Sequence, residues 1–237
     1  MTYNKHFIPL ESNPTLFTRF IHQLGVSDSL SFYDVWSLDE PELLAFIPRP
    51  VLALVIVFPT PADYEARLAE EDTAAPTDSG DEEDVLWFKQ TINNACGLYG
   101  ILHAVANGGA RDFINPDSHL SRLLETCTAL SSSDRASLLE NDNELESAYM
   151  AVAVLGDTKA PENPEDVVDF HYVCFVKSYR NDKLYMMDGD RNGPSNKGQL
   201  PTTDLLSEQG TEVIRQFIQQ HDDGGHFSLL ALAPSST

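Results

Sequence analysis

QTINNACGLYGILHAVAN, residues 90–107, places a cysteine at the start of an apolar helical pattern. Cys96 is therefore predicted in the first turn of a helix, for which Gly108 offers the C-terminal stop. At that position the unpaired backbone N–H groups and the positive end of the helix dipole stabilise a thiolate, so Cys96 is a candidate nucleophile. A buried structural cysteine is the alternative that this position leaves open. The predicted buried face has the i, i+3, i+4, i+7 spacing: Leu98, Ile101, Leu102 and Val105.

A second segment, HYVCFVKSYRNDKLYMMDGD at residues 171–190, indicates an antiparallel hairpin, since two β-rich runs flank Arg180-Asn181-Asp182. His171 opens the first strand and Asp188 closes the second, so the hairpin brings both to the same end of the sheet. A catalytic cysteine needs such a pair, because the imidazole takes the thiol proton and the carboxylate orients the ring. Taken alone, His171 also fits a core histidine, and Asp188 fits a turn residue that caps Gly189.

Gln90 lies six residues before Cys96. Attack by a thiolate places negative charge on a carbonyl oxygen, which a side-chain amide and the Cys96 backbone N–H would stabilise. A glutamine beside Lys89 is by default a solvated polar residue, and only its spacing to Cys96 and the resemblance described next favour a site role. Asn94 is a further candidate, either to cap the helix or to hold the oxyanion loop.

The set formed by Gln90, NNACG around Cys96, His171 and Asp188-Gly189 resembles the active-site set of the ubiquitin C-terminal hydrolases. The chain departs from the family at Met187-Asp188-Gly189-Asp190-Arg191, where Leu-Asp-Gly-Arg is common, and at Leu98, where small polar residues are frequent. Further stretches agree in the family's order over nearly the whole chain: PLESNP (residues 9–14), EPELLAFIPRP (40–50), VLWFKQ (85–90) and GDTKAP (156–161).

The resemblance implies an α/β (α+β) fold of the papain-like type, with a central, mainly antiparallel sheet, flanking helices and a crossover loop over the active site. It also implies a cysteine-type hydrolase that cleaves small adducts or short peptide extensions from the C-terminal glycine of ubiquitin. In that mechanism Cys96 attacks and forms an acyl-enzyme thioester, and His171 shuttles the proton. Asp188 orients His171, Gln90 stabilises the oxyanion, and no cofactor is required.

GDTKAPENPEDVVD, residues 156–169, is the expected crossover loop, because it has no core pattern and leads directly into His171. In the family, the corresponding segment crosses the cleft and restricts the size of what leaves from the ubiquitin carboxyl terminus. An ordinary surface connector is the alternative. By the same analogy, four residues are expected to contact the substrate: Pro9, Leu10, Glu11 and Asn94.

Two other functions stay open at this point. The first is a ubiquitin-binding protein that sequesters ubiquitin without turnover, which the intact Cys, His, Asp and Gln disfavour, since a pure binder does not need all four. The second keeps the chemistry but acts on another ubiquitin-like protein, and the sequence does not separate these two ligands.

Composition favours one domain, residues 1–237, and a monomer is expected, although the sequence does not give the oligomeric state. The 237 residues, 42% of them hydrophobic, can fill one sizeable core. Against 37 Asp and Glu stand 15 Lys and Arg, and the net charge of −22 disfavours binding to nucleic acid and to anionic membranes. A basic partner such as ubiquitin fits this charge, although an acidic surface is often only a solubility device.

The sequence also predicts a location in the cytosol or nucleus. No apolar run of about 18 residues exists to span a bilayer, and the first thirty residues lack a secretory pattern. Three widely spaced cysteines, Cys96, Cys127 and Cys174, indicate neither a disulfide framework nor a zinc site.

No metal site is predicted. DGDRNG at residues 188–193 resembles the start of an EF-hand loop, but position twelve is Gln199 where a glutamate is needed. His221 and His226 flank a glycine turn without a third spaced ligand, which makes a poor zinc site.

The remaining elements follow from local patterns. Asn13 and Pro14 are predicted to begin a helix that ends at Gly25. VLALVIVF, residues 51–58, is predicted to be a central strand covered on both faces. Residues 62–84 are predicted to form a mobile acidic loop. The other predicted elements are helices at Ser118 to Cys127, Ser133 to Leu139 and Thr203 to Gln219, and a strand at residues 226–233.

Overall fold

Six strands form one antiparallel sheet in the computed structural model, which describes residues 3–60, 64, 66, 68, 70, 84–158, 161, 163, 165, 166, 168–221 and 227–236. Their order across the sheet is β1-β6-β2-β3-β4-β5, and every neighbouring pair is antiparallel. The predicted antiparallel sheet is thus confirmed, with β2 in its interior. The strands are β1 (Leu30–Asp34), β2 (Ala53–Pro59), β3 (Phe170–Lys177), β4 (Lys183–Met187), β5 (Ser195–Gln199) and β6 (Ser228–Pro234).

Helices surround the sheet, and the first of them has the predicted ends. The Asn13 side chain accepts hydrogen bonds from the backbone N–H groups of Thr15 and Leu16, and Gly25 ends the helix at φ 104°. A 3₁₀-helix covers Gly108–Phe113. The α-helices are α1 (Pro14–Leu24), α2 (Pro41–Leu44), α3 (Cys96–Ala106), α4 (His119–Thr128), α5 (Ser132–Glu140), α6 (Asn143–Ala153) and α7 (Glu208–His221).

The sheet separates two apolar clusters, one on each face. On β2, Val55 and Val57 belong to the cluster that holds side chains of α1, α3, α4 and α6. The alternate residues Leu54 and Ile56 belong to the cluster on the opposite face, which holds side chains of α7. The strand is therefore covered on both faces, as its continuous apolar run predicts.

α3 lies against β2 and β3 and is buried on every side. All residues from Gly97 to Ala106 are buried, so the prediction of a single buried face is wrong. A side chain at Gly97 would place its Cβ 3.2 Å from the Cβ of Leu10. Glycine at this position lets the N-terminal segment pass close to the start of the helix, next to Cys96.

The predicted helix from Thr203 begins five residues later, at Glu208. The physical reason is Asp204, whose Oδ1 accepts hydrogen bonds from the backbone N–H groups of Val51 and Leu206 at 3.0 and 3.2 Å. Leu205 N–H also donates to the Val51 carbonyl at 2.9 Å. These bonds hold a turn where the sequence pattern alone suggested a first helical turn.

Residues 62–84 were predicted to be a mobile loop. Tyr64 and Leu68, two of the described residues in this stretch, are helical and buried, with 6% and 9% of their surface exposed, so the prediction is wrong at these positions. Residues 71–83 lie outside the described part of the chain, as do five positions of the expected crossover loop and His226. Among the described helices, none has the length and apolarity that crossing a membrane requires.

Candidate active site

His171 and Asp188 meet at the end of the β3–β4 hairpin, as the sequence predicts. His171 is the second residue of β3, and Asp188 directly follows β4. The ring Nε2 donates to Asp188 Oδ1 at 2.7 Å, and both side chains are buried. Cys96 occupies the first position of α3, and its side chain is one of the groups that raise the pKa of His171. With Nε2 bonded to the carboxylate, Nδ1 is the ring nitrogen available to the thiol.

The electrostatics of this group favour a charged imidazole. Burial disfavours the charged ring, but the carboxylates of Asp188 and Asp190 outweigh it, and the pKa of His171 is raised well above its usual value. Burial likewise disfavours ionised Asp188, while the adjacent His171 charge and hydrogen bond hold the pKa of Asp188 below its usual value. The pair of His171 and Asp188 therefore stabilises an imidazolium in this buried position.

Two aromatic rings enclose the imidazole. Phe58, which is the register partner of His171 on β2, lies edge-on at 6.0 Å between ring centroids, and Tyr64 lies at 5.8 Å. Both rings are buried. They exclude water from His171 and restrict its rotation, which strengthens its bond to Asp188. Sequence analysis missed both residues, and the pairing of β2 with β3 is the signal that places Phe58 here.

Gln90 is buried beside Asp188, and not solvated. Its backbone N–H donates to the Gly189 carbonyl at 2.9 Å, and 5% of its surface is exposed. Gly189 has no room for a side chain, since an added Cβ would lie 2.9 Å from the Gln90 Cβ. The Gln90 Oε1 is buried without a hydrogen-bond partner among the described residues. An amide oxygen only accepts, so a donor role for Gln90 rests on Nε2, which likewise forms no hydrogen bond with the described residues.

The segment that carries Gln90 is tied to α3 and to the hairpin. Asn107 brackets Leu86, accepting from its N–H at 2.7 Å and donating to its carbonyl at 3.0 Å. The Phe88 N–H donates to Nε2 of His103 at 3.0 Å. Trp87 Nε1 donates to the Asp188 carbonyl at 2.9 Å. These bonds fix Gln90 relative to both Cys96 and Asp188. Burial lowers the pKa of His103 to about 3, so this ring stays neutral and accepts.

Asp190 places a second carboxylate at the imidazole. Its Oδ2 lies 3.6 Å from Nδ1 of His171, and its backbone N–H donates to Asp188 Oδ1 at 3.0 Å. Lys89 Nζ donates to the carbonyls of Asp190 and Arg191 at 2.8 and 2.7 Å, which holds this turn in place. Sequence analysis did not assign Asp190 to the site. The departure from the family pattern at Asp188-Gly189-Asp190-Arg191 was the available signal.

The four expected substrate contacts occupy different environments. The side chain of Leu10 is 3% exposed and packs in the core, so its contact with a substrate stays a prediction. Pro9 is half-buried. Glu11 Oε2 accepts from the Thr158 N–H at 2.6 Å, and this bonding lowers the pKa of Glu11. Asn94 does not cap α3, since the N-cap is Ala95; its Nδ2 donates to the Asp166 carbonyl at 3.0 Å.

One group in the site has ligand atoms close enough to hold a metal ion. Atoms of His171, Asp188 and Asp190 lie within 4.8 Å of one another. Nε2 of His171 and Oδ1 of Asp188 are already bonded to each other, so a cation held by both would have to break this hydrogen bond. The chemistry proposed below uses the intact bond.

Comparison with known proteins gives a consistent result. Residues 7–219 match the family model of ubiquitin carboxyl-terminal hydrolase, family 1. A ubiquitin carboxyl-terminal hydrolase of Aplysia californica is 37% identical, covering 92% of this chain and 97% of its own length. Ubiquitin carboxyl-terminal hydrolase YUH1 of Saccharomyces cerevisiae is 33% identical, covering 98% of each chain. The Trichinella spiralis UCH37 catalytic domain, solved bound to ubiquitin vinyl methyl ester, has a TM-score of 0.75 at 22% identity and covers 98% of each chain, which supports the fold.

Proposed function

The chain belongs to family 1 of the ubiquitin carboxyl-terminal hydrolases, and on that basis we propose that it is a cysteine-type deubiquitinase. Its substrates are small adducts or short peptide extensions on the C-terminal glycine of ubiquitin. The observation that carries the proposal is the position of His171, which is bonded through Nε2 to Asp188 and lies close enough to Cys96 for that side chain to help raise the pKa of the ring. A thiol, a base and an orienting carboxylate in this order form the minimal set for thiol-dependent acyl transfer.

The reaction proceeds in two steps. His171 takes the thiol proton, and the Cys96 thiolate attacks the carbonyl carbon of the terminal glycine of ubiquitin. The tetrahedral intermediate collapses with cleavage of the bond to the leaving group, which takes the proton from His171 and leaves a thioester on Cys96. His171 then removes a proton from water, whose oxygen attacks the thioester, and the Cys96 thiol and the free carboxylate are released.

Gln90 is the proposed oxyanion donor, together with the backbone N–H of Cys96 at the start of α3. The N–H groups at a helix start have no intrahelical partner, and the amide of Gln90 forms no side-chain hydrogen bond with any described residue. Both groups are therefore free to meet the charge that develops on the carbonyl oxygen. Their positions are set before substrate binds, which is what makes such donors effective.

Replacing Gln90 by alanine is expected to lower kcat by roughly 10²- to 10³-fold, the size measured for loss of one oxyanion donor. Ubiquitin affinity should stay nearly unchanged, because the donor acts on the transition state. Steady-state kinetics and a separate binding titration measure the two effects. Gln219→Ala, an exposed glutamine on α7, is the matched control. A loss seen only in binding would remove Gln90 from the catalytic group.

Asp190→Asn is expected to move the alkaline limb of the kcat/KM profile down by roughly 0.5 to 1 pH unit. The titratable groups that face His171 are Asp188, Asp190, Cys96 and the Tyr64 phenol, whose pKa is raised by burial. The Asp190 carboxylate raises the pKa of His171, so removing its charge lets the imidazolium lose its proton at lower pH. A profile recorded from pH 5 to 10 tests this. If the alkaline limb of the kcat/KM profile stays at the same pH, Asp190 has only a structural role in the turn.

The expected crossover loop is tied at two described points. Glu11 accepts from the Thr158 N–H near the beginning of the segment, and Asn94 donates to the Asp166 carbonyl near its end. Asn94 is two residues before Cys96, so the second bond brings the loop next to the nucleophile. These contacts support a role for residues 156–169 as a restriction on the size of the leaving group.

Replacing residues 159–165 with a longer Gly/Ser stretch should let the chain cleave bulkier conjugates, because flexible linkers reach further as they lengthen. Rates on a small fluorophore adduct should change little by comparison. The two rates, measured on the same preparation, give the ratio that tests the restriction. Unchanged rates on large conjugates would make the segment an ordinary connector.

The function itself is tested by fluorophore release from the carboxyl terminus of ubiquitin, compared with the same fluorophore on a ubiquitin-like protein. We expect multiple turnovers on ubiquitin, consistent with a basic ligand meeting a chain of net charge −22. Tight binding without turnover would favour the sequestering protein. Turnover confined to the ubiquitin-like substrate would reassign the ligand and keep the chemistry.

The proposal includes a monomeric enzyme in the cytosol or nucleus. All three cysteines are free. Burial raises the pKa of Cys127 to about 11 and that of Cys174 well above its usual value, so both thiols stay protonated and unreactive. A reducing compartment suits an enzyme whose activity depends on the free thiol of Cys96.

A further inference from the structure

A polar cavity of about 390 Å³ lies at the far end of α3 from Cys96. Ala106, the last residue of the helix, borders it, and so does Asn107. The helix has 11 residues, and at about 1.5 Å per residue the cavity is roughly 15 Å from the thiol. The chemistry described above uses no side chain of this cavity.

Three arginines from three different elements line this cavity. Arg111 belongs to the 3₁₀-helix, Arg135 to α5, and Arg180 to the turn between β3 and β4. Asp84 is the one carboxylate among the described lining residues. Its Oδ2 already accepts from the Asn181 side chain and from the Tyr185 hydroxyl. The described lining of the cavity thus has three cationic groups and one carboxylate, and that carboxylate is already hydrogen-bonded to other residues. This local excess of positive charge occurs in a chain whose net charge is −22.

Arg135 is buried in the wall of the cavity. Only 9% of its surface is exposed, and Nε and Nη1 donate to the carbonyls of Cys127 and Trp87 at 2.9 and 3.3 Å. Both acceptors are neutral, and Nη2 has no hydrogen-bond partner in the described part of the chain. A buried charge is costly unless a counter-charge meets it. The guanidinium is held rigidly with one donor group unused.

Arg111 and Arg180 likewise form no ion pair with any carboxylate that the structure describes. Other arginines of the chain do find acidic partners, as Arg49 does with Asp204 and Arg215 with Asp39. Unpaired guanidinium groups around a concave site are the arrangement that binds phosphate, because their planar donors match its oxygens. We propose that this cavity is a binding site for a small molecule that carries a phosphate group. Its volume lies in the range of small-molecule sites.

Carboxylates of the chain itself are the alternative source of negative charge for these arginines. Asp81, Glu82 and Glu83 directly precede Asp84 in the sequence, and their carboxylates are candidates to neutralise the arginines. The test therefore has to separate an added phosphate from these side chains.

Inorganic phosphate is the probe, titrated calorimetrically at constant ionic strength against a chloride blank. We expect saturable binding to the native chain, and binding weakened roughly tenfold or more for each guanidinium removed in Arg111→Gln and Arg180→Gln. Arg19→Gln, an exposed arginine of α1 outside the cavity, is the matched control and should bind like the native chain. Circular dichroism and thermal unfolding like those of the native chain would show that the two cavity variants fold.

Two results would overturn the proposal. The first is the absence of saturable binding, or equal binding by the native chain and by the Arg111→Gln and Arg180→Gln variants. The second is binding that appears only after Asp81→Asn, Glu82→Gln and Glu83→Gln are combined, which would assign the arginines to the chain's own carboxylates. Because the readout is binding at a separate site, neither result depends on the proposed hydrolase activity.

Discussion

Cys96→Ala is expected to lower hydrolysis of a ubiquitin C-terminal fluorophore amide by about 10⁶-fold, to the background rate. Without the sulfur, no acyl-enzyme forms, and His171 has no nucleophile to deprotonate. Binding of ubiquitin should persist, since Cys96 is a single small side chain at the start of α3 and alanine is a good helix former. Steady-state kinetics and a binding titration on the same preparation give the two results.

Cys127→Ala is the matched control, because Cys127 is a fully buried thiol on α4. It should keep native turnover, with only the modest loss of stability that removal of a buried sulfur causes. If both variants keep their activity, the thiol mechanism is wrong. If both lose it together with their folded structure, circular dichroism will show this, and Cys96→Ser then provides the second, more conservative variant.

Asp188→Asn is the second variant with a large expected effect, a fall in kcat of about 10⁴-fold, as for the equivalent change in serine hydrolases. The buried carboxylate accepts from Nε2 of His171 at 2.7 Å, which leaves Nδ1 as the ring nitrogen available to the thiol. A neutral amide cannot balance the imidazolium charge, and its N–H group competes for Nε2. The pKa of His171 should fall, because one of the two carboxylates that raise it is gone.

Asp190→Asn is the control for this variant, because it also removes a carboxylate that faces the ring of His171, at 3.6 Å. The Asp190 side chain is more exposed to solvent than that of Asp188. We expect a change in its pH profile and only a small change in kcat at neutral pH. Comparable losses in the two variants would mean that general electrostatics, and not orientation by Asp188, sustains activity. Thermal unfolding of both proteins separates lost activity from lost folding.

The pH dependence of folding should reflect His103 on the acid side. Its folded pKa of about 3 lies below the usual value of 6.5. The unfolded chain therefore binds a proton that the folded chain does not, over the range from about pH 6.5 down to about pH 3. This contribution to stability is complete above pH 6.5 and is lost progressively as the pH falls toward 3.

Much of the site could be predicted because local patterns encode it. A helix start fixes the surroundings of Cys96, and a short hairpin brings His171 and Asp188 together whatever the rest of the chain does. The capped helix α1 and the buried strand β2 follow from equally local signals. These predictions needed only neighbouring residues, and the structure confirms the elements on which they rested.

The missed features depend on distant contacts. Gln90 is buried because Leu86 bonds to the C-cap residue of α3 and Phe88 to a side chain of that helix, which no local pattern reveals. Tyr64 reaches His171 from a stretch whose composition suggested a loop. β5 is an exposed, polar edge strand, SNKGQ, with no apolar alternation to announce it. In each case tertiary packing, and not intrinsic propensity, decided the outcome.

The most direct test of the central claim is to map the adduct that forms with ubiquitin carrying a C-terminal electrophile. The chain has three cysteines, of which Cys127 and Cys174 are buried and Cys96 is partly exposed. Peptide mass spectrometry after reaction with one equivalent of the electrophile should find ubiquitin on Cys96 alone, and the Asp188→Asn variant should react far more slowly. Modification of another cysteine, or no adduct with a folded native chain, would contradict the account.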